Sequence, residues 1–302
     1  MEVKTPSRSL PDVAHEKLET DLSPLEWVGM SGIEVPVLVS GEDGLFRQAA
    51  KADAFVSLDR SPSRGIHMSR LYLTVQELLA KEELNLALLR RAVEDFLLSH
   101  RDLSSSARLS VHLEMPVLRP ALVSGHASWR TYPATLSVEK VGEQIRSFLE
   151  VTVTYSSTCP ASAALSRRLI QEGFRQDFSS RELTLEAVEE WLGTTRGIQA
   201  TPHAQRSLAR VKVQTDDLNM VDLVDVIEDA LQTAVQGAVK REDEQEFARR
   251  NGQNLMFCED AARRVRAALE TMSGVTAYRA ELDHLESLHP HSAKATVSRG
   301  MN

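Results

Sequence analysis

The sequence predicts an α+β protein in which strands flank helices in each half of the chain. Three observations predict it. Residues 108–114 (RLSVHLE) alternate strictly, with Leu109, Val111 and Leu113 on one face, which is the period of a half-buried strand. Residues 74–100 carry Val75, Leu78, Leu79, Leu86, Leu89, Val93, Phe96 and Leu97 at helical spacing. The first half, read as strand, strand, long helix, strand, strand, contains no Gly-rich phosphate loop and no βαβ pattern.

Taken in order, residues 1–25 are polar and Pro-containing and are expected to be a mobile leader. Residues 33–40 (IEVPVLVS) and 53–58 (DAFVSL) read as strands, with a Gly-containing turn at 41–44. The segment RGIHMSRLY (64–72) is expected as a loop before a helix. It places His67 and Arg70 near free N–H groups that favour phosphate. Thr74 and Glu77 have capping-box spacing at the start of the 74–100 helix. Residues 128–138 and 148–155 read as strands. The latter runs into SSTCPASAALSRRLI, where Cys159 precedes Pro160 and a helix is expected over 162–170. Free N–H groups at such a helix start favour a thiolate. A polar loop, ATPHAQRS (200–207), carries His203 and leads to a strand at 208–214. Helices are expected over 219–235, 239–250 and 257–272. A last strand follows at 275–285, then LESLHPHSA and a polar tail.

Composition narrows the function. A chain of 302 residues, 42% hydrophobic and 26% charged, can bury a core. Its net charge of −8 leaves no cationic excess to coat a nucleic acid, though one nucleotide in a local basic pocket remains compatible. Two cysteines, Cys159 and Cys258, give no disulfide framework, and the N-terminus lacks an apolar signal core. No stretch is long and apolar enough for a membrane span. A cytoplasmic protein is expected.

The chemistry concentrates at residues 240–260, KREDEQEFARRNGQNLMFCED. Lys240 and Arg241 open this stretch, an NGQN turn is expected in its middle, and Cys258 stands before Glu259 and Asp260. Cys159, His203, a carboxylate from this stretch and a histidine of LHPH (His289 or His291) form a ligand set suited to a divalent first-row metal. Thiolate, imidazole and carboxylate together leave the metal's identity open among Zn, Fe(II), Mn(II) and Co(II). The residues show none of the local spacings HExxH, CxxC or HxH with ligand geometry.

Six motifs in order resemble the type IB GTP cyclohydrolases: GIHMSRLY (65–72), YSSTCPASAALSR (155–167), ATPHAQRS (200–207), KREDEQEF (240–247), NGQNLMFCED (251–260) and ESLHPHSA (286–293). The resemblance implies a tunnelling fold (T-fold) with two tandem antiparallel sheet-plus-helix-pair units, at 26–145 and 146–290, followed by a tail at 291–302. It implies a homotetramer with active sites at subunit interfaces. It implies opening of GTP at C8 with release of formate, giving 7,8-dihydroneopterin triphosphate for folate or for a modified tRNA base. By correspondence Cys159, His203, Glu244 and His289 are the metal ligands. Glu242 and Glu246 stay open beside Glu244, and His291 beside His289. Glu259, fifteen positions after Glu244, corresponds to the carboxylate that anchors guanine. Cysteine, His203, Glu244 and Glu259 thus make up the implied catalytic set, with Cys159 as the thiolate. Candidate triphosphate contacts are His67, Arg70, Arg206, Lys240 and Arg241, with Ser156 and Ser157 as hydroxyl donors.

Two departures stand out. The relatives' CPCS reads Cys159, Pro160, Ala161, Ser162 here, so a second thiol is absent. Residues 172–198 read as an inserted helical hairpin, expected outside the active site. Two other classes fit the resemblance less well. A non-catalytic purine- or pterin-binding protein has no need of Cys159, and a nitrile reductase of the same superfamily would show a lysine-rich signature that is absent.

Overall fold

The computed structural model describes residues 22–41, 44–180, 182–237 and 240–301. The expected leader lies outside the described residues up to position 21. Eight strands run in the order β1 to β8 in one sheet, and seven helices are present among the described residues. Contacts group the chain into two compact units. The first holds the described residues up to Glu114 together with Thr135–Leu149. The second holds Met115–Ala134 and the described residues from Glu150 onward. The grouping is therefore discontinuous, where the sequence reading places one boundary near 145.

In the first unit β1 (Leu25–Gly41) and β2 (Gly44–Leu58) form a long antiparallel hairpin. Both strands extend well beyond the expected apolar runs, because backbone pairing continues through polar positions. Between Met30 and Ile33 the β1 register shifts against β2. Gly32 takes φ +71° there, and its N–H donates to Asp53 Oδ1 at 2.8 Å. A bulge of this kind needs a left-handed residue, which glycine supplies without strain. β3 (Ser106–Pro120, of which Ser106–Glu114 lies in this unit) pairs antiparallel with β2 from Ala107 to Leu113.

The single helix expected over 74–100 is two helices, α1 (Met68–Leu79) and α2 (Leu86–Ser99). Leu71, Val75 and Leu79 of α1 and Leu89, Val93 and Phe96 of α2 are buried. The apolar period runs through the break, so periodicity alone hides it. The break itself follows from backbone capture: Leu84 N–H donates to Leu38 O of β1 at 2.8 Å. Asn85 then caps α2 by accepting from Leu88 N–H at 2.8 Å. Thr74 is not a cap. It lies inside α1 and its hydroxyl donates to Arg70 O one turn earlier.

The second unit is built from strands β4 (Ala127–Val141, in part) and β5 (Gln144–Thr158, in part), β6 (Ala204–Gln214), β7 (Ala277–His284) and β8 (Ala293–Arg299). Its helices are α3 (Pro160–Asp177), α4 (Leu185–Leu192), α5 (Met220–Leu231), α6 (Arg241–Gln253) and α7 (Cys258–Thr271). Val153 and Tyr155 of β5, Val211 of β6, Leu223 and Ile227 of α5, and Val265 of α7 are fully buried.

Three expectations in this unit are corrected. The polar tail forms β8, which pairs antiparallel with β7 from Arg279↔Ser298 to His284↔Ala293. An edge strand can be polar because one face and one edge meet water. The helix expected to reach 235 ends at Leu231, where Gln232 adopts φ 70°. Beyond it Ser156 N–H donates to Thr233 O and Val235 N–H to Thr154 O, so β5 captures the backbone. The NGQN turn is helical through Gln253, and Asn254 forms the C-cap of α6.

The helix expected over 162–170 continues to Asp177, and α4 folds back on it. Phe174, Phe178 and Trp191 form an aromatic cluster with ring centroids 4.7–6.1 Å apart. Trp191 Nε1 donates to Asp177 Oδ2 at 2.8 Å. Trp191→Ala is expected to cost about 3–5 kcal/mol, as for other buried large aromatics. The loss should appear as faster hydrogen exchange in α4 and the end of α3, with turnover retained. A collapse of turnover at unchanged exchange would place this hairpin in the catalytic machinery.

Candidate active site

Cys159 and His203 are brought together by backbone. Cys159 leaves β5 in an extended conformation (φ −68°, ψ 122°), as a residue before proline prefers, and Pro160 opens α3. Cys159 N–H donates to His203 O at 3.2 Å. His203 N–H donates to Ser162 Oγ at 3.1 Å. Ser162 N–H in turn points at Cys159 Sγ, 3.5 Å away. The thiol is thus the N-cap of an 18-residue helix and is partly exposed.

Behind His203 lies a buried polar chain. His203 Nδ1 is 3.0 Å from Gln205 Oε1. Gln205 Nε2 donates to Ser157 Oγ at 2.8 Å. Ser157 Oγ is 2.8 Å from Ser207 Oγ and 3.2 Å from His284 Nδ1, and His284 Nε2 is 3.0 Å from the Tyr155 hydroxyl. Burial pushes the His284 imidazole down, against the opposing pull of Glu286 and Glu259, and so keeps it neutral. Burial above all, with the Asp283 carboxylate nearby, drives the Tyr155 hydroxyl far above its ordinary range. Glu286 Oε2 is buried, with no hydrogen-bond partner among the described residues, 3.8 Å from His203 Nδ1.

The acidic residues of α6 separate into engaged and open ones. Asp243 accepts from Lys240 N–H, Val123 N–H, Ser124 N–H and the Ser124 hydroxyl, at 2.6–2.9 Å. The Ser124 hydroxyl and these N–H groups hold its carboxyl well below the usual range. Glu246 binds Arg249 and Arg250, which lower it to about 2. Glu242 and Glu244 are exposed and make no ion pair or side-chain hydrogen bond among the described residues. Asp243 is a latch between the start of α6 and residues 123–124. A carboxyl depressed in the folded state contributes stability that is full above the unfolded value near 4 and is lost as pH falls below it. Asp243→Ala is therefore expected to lower the urea midpoint at neutral pH and to flatten its fall below about pH 4. An unchanged acid-side slope would remove Asp243 from that role.

At α7 the same sorting applies. Asp260 accepts from Phe257 N–H at 3.0 Å and binds Arg263 Nη1 at 3.0 Å, so it serves the helix start. Cys258 is buried and donates toward Leu282 O and Ala293 O. Burial raises its thiol to about 11, and the side chain is packed against those two carbonyls. Glu259 is exposed in the first turn, with no partner among the described residues, and its charge is felt at His284.

The remaining candidates are placed as follows. Lys240, Arg241 and Arg206 are exposed. Ser156 is half-buried and its carbonyl accepts from the Thr233 hydroxyl at 2.6 Å. Ser157 is fully buried and its hydroxyl is engaged in the polar chain. His67 and Arg70 belong to the first unit. His67 caps α1 beside His100, at 6.2 Å between ring centroids, and Arg70 binds the Ser99 carbonyl at the end of α2. His289 and His291 are exposed and their rings stack at 5.2 Å.

Among the described residues no three His, Cys, Asp or Glu side chains of the chain converge as metal ligands. Two of the four proposed donors, Cys159 and His203, are neighbours. Their chemistry suits a metal: a thiol at a helix start, and an imidazole whose Nδ1 faces an amide oxygen, which leaves Nε2 for coordination. Glu244 and His289 are presented on exposed surface.

The description "Type I GTP cyclohydrolase folE2" matches residues 10–295. The chain belongs to this family. The chain is 58% identical over 296 residues to the GTP cyclohydrolase FolE2 of Bdellovibrio bacteriovorus, covering 97% of each. To the FolE2 of Pseudoalteromonas translucida it is 46% identical, covering 97% of this chain and 98% of that one. To that of Hydrogenovibrio crunogenus it is 45% identical, covering 97% and 95%. Among solved structures it is similar in fold to a uricase from Arthrobacter globiformis (TM-score 0.54, 10% identity, 95% and 97% covered). It is likewise similar to a urate oxidase from Bacillus sp. TB-90 (TM-score 0.53, 9% identity, 90% and 98% covered). Within the FolE2 family frame, sequence reasoning missed Gln205, Ser207 and His284. A signal was present: Gln205, Ser207, Ala209, Val211 and Val213 alternate on one buried face of β6. Starting that strand at 208 left its first two inward polar residues in a supposed loop.

Proposed function

We propose that the protein is a metal-dependent GTP cyclohydrolase that opens the guanine of GTP at C8, releases formate and yields 7,8-dihydroneopterin triphosphate for folate synthesis. The observation that carries the activity is family membership over residues 10–295 with full-length relatives at 45–58% identity. Cys159 and His203, with Glu244 and His289, would hold one divalent ion, Mn(II), Fe(II), Zn(II) or Co(II). Such an ion supplies a Lewis acid and a bound water acidified from 15.7 toward ~7.

The chain's own residues supply recognition. Glu259 accepts two parallel hydrogen bonds from guanine N1–H and the 2-amino group, which discriminates against adenine. Asp260 is engaged in the helix cap and is not available for this. Arg206, Lys240 and Arg241 are exposed cations suited to the triphosphate, Arg as a fork and Lys as a point charge. His67, Arg70 and Ser156 complete the proposed contacts.

Two tandem T-fold units are supported by the two helix pairs, α1 with α2 and α5 with α7, each packed within its own unit. A cytoplasmic homotetramer with sites at subunit interfaces accommodates Glu244 and His289, which one chain leaves exposed. No described helix is long and apolar enough to cross a membrane. A purine- or pterin-binding protein without catalysis is the second reading, favoured by the absence of a three-ligand group among the described residues of one chain.

The deciding experiment incubates metal-stripped protein with GTP, with and without each of the four ions, and follows formate and oxidised pterin fluorescence. Metal-dependent formate release is expected. Folded protein that binds GTP but releases no formate with any ion would favour the binding protein.

A further inference from the structure

We propose that Gln205 is a positioning residue that holds His203 with its proton on Nδ1, so that the Nε2 lone pair faces the metal; this rests on reading His203 as a metal ligand. Gln205 is buried on the inward face of β6, two positions from His203. Its Oε1 lies 3.0 Å from His203 Nδ1, and its Nε2 donates to Ser157 Oγ at 2.8 Å. Ser157 is itself fixed between Ser207 Oγ at 2.8 Å and His284 Nδ1 at 3.2 Å. A serine hydroxyl carries one proton and two lone pairs, so it can satisfy all three neighbours while accepting from the amide.

A flipped amide would turn N–H toward Nδ1 and require a lone pair there. That lone pair would also lie beside the Glu286 carboxylate, whose Oε2 is 3.8 Å away. Two acceptor oxygens on the same side of the ring favour a proton at Nδ1. Glu286 stands outside hydrogen-bond reach, so the amide oxygen makes the directed contact. A ligating imidazole commonly has its second nitrogen held in this way, and losing the outer partner costs about 10–100-fold in metal affinity.

The test is heteronuclear NMR of the imidazole nitrogens in histidine-labelled, metal-free, full-length protein, with His203→Gln identifying the signal. Metal affinity is measured in parallel with Co(II). Wild-type His203 is expected to be protonated at Nδ1 and bare at Nε2. Gln205→Met keeps the side-chain length and removes the acceptor. It is expected to shift His203 toward the Nε2–H form and to weaken Co(II) binding about 10–100-fold. Gln205→Glu restores an acceptor oxygen and is expected to return both readouts toward wild type. A purely structural role predicts neither the tautomer shift nor the rescue.

A wild-type His203 protonated on Nε2 would overturn the proposal. So would a folded Gln205→Met protein that keeps the Nδ1–H form and full Co(II) affinity. If that variant does not fold, the wild-type tautomer decides. Failure to release formate from GTP would count against the cyclohydrolase reading and leave the tautomer result standing.

Discussion

Cys159→Ala is expected to abolish metal binding and turnover while leaving the fold near native. The fold is insensitive because the groups that shape this corner are backbone and neighbours. Cys159 N–H to His203 O, His203 N–H to Ser162 Oγ, and Pro160 at the start of α3 all survive the substitution. The thiol's own structural contact is a cap at 3.5 Å from Ser162 N–H, and losing a cap costs about 1 kcal/mol. Loss of a direct ligand should exceed the ~10–100-fold that follows loss of an outer partner. Metal content of the purified variant, its formate release and its thermal midpoint measure the three quantities. A variant that retains metal and wild-type turnover would show the ligand assignment to be wrong.

Glu259→Ala is expected to keep the metal and lose GTP recognition. Hydrogen bonds to a charged group contribute roughly 1.5–3 kcal/mol each, so losing two should lower kcat/KM about 10²- to 10⁴-fold. The neighbouring carboxylate does not substitute, since Asp260 is bound to Phe257 N–H and Arg263. The helix itself should tolerate the change, because Glu259 has no partner within the described chain and α7 is held by Ala261, Ala262, Val265 and Leu269. Equilibrium binding of GTP to metal-loaded variant and wild type is the direct measurement. Unchanged affinity would sink the anchoring role. Guanosine and adenosine triphosphates compared on wild-type protein provide the matching specificity readout.

These two variants, with the Gln205 series, dissect one corner of the second unit. The Cys159 thiol, the His203 imidazole and the Glu259 carboxylate lie at helix starts or at a strand entrance. Beside Cys159, Glu259 and Glu244 the adjacent residue is occupied with folding: Pro160, Asp260 and Asp243 respectively. The division explains why so charged a stretch as 240–260 forms ordered helices. Half of its carboxylates cap, latch or pair, and the others stay exposed.

The sequence by itself determined the α+β class, most of the strands, a helix following Cys159–Pro160 and the helix expected over 257–272, because alternation and helical period are local. It also carried the family, since six motifs in order are a property of the chain alone. Tertiary structure decided the rest. The break between α1 and α2, the end of α5 at Leu231 and the pairing of Met256 N–H with Thr158 O all arise where a strand edge captures the backbone, and no local period records that capture. The polar segment Ala293–Arg299 became a strand only because β7 offered it an edge. Which carboxylate is open and which is engaged, Glu244 against Asp243 and Glu246, or Glu259 against Asp260, depends on donors up to 120 positions away. The alternation of β6 marked Gln205 and Ser207 as inward, but the partners they meet in the buried chain from Tyr155 to His203 were, for the same reason, not legible. Its members are ordinary polar residues whose meaning comes from hydrogen-bond partners on three different strands, β5, β6 and β7, and only folding brings those partners within reach.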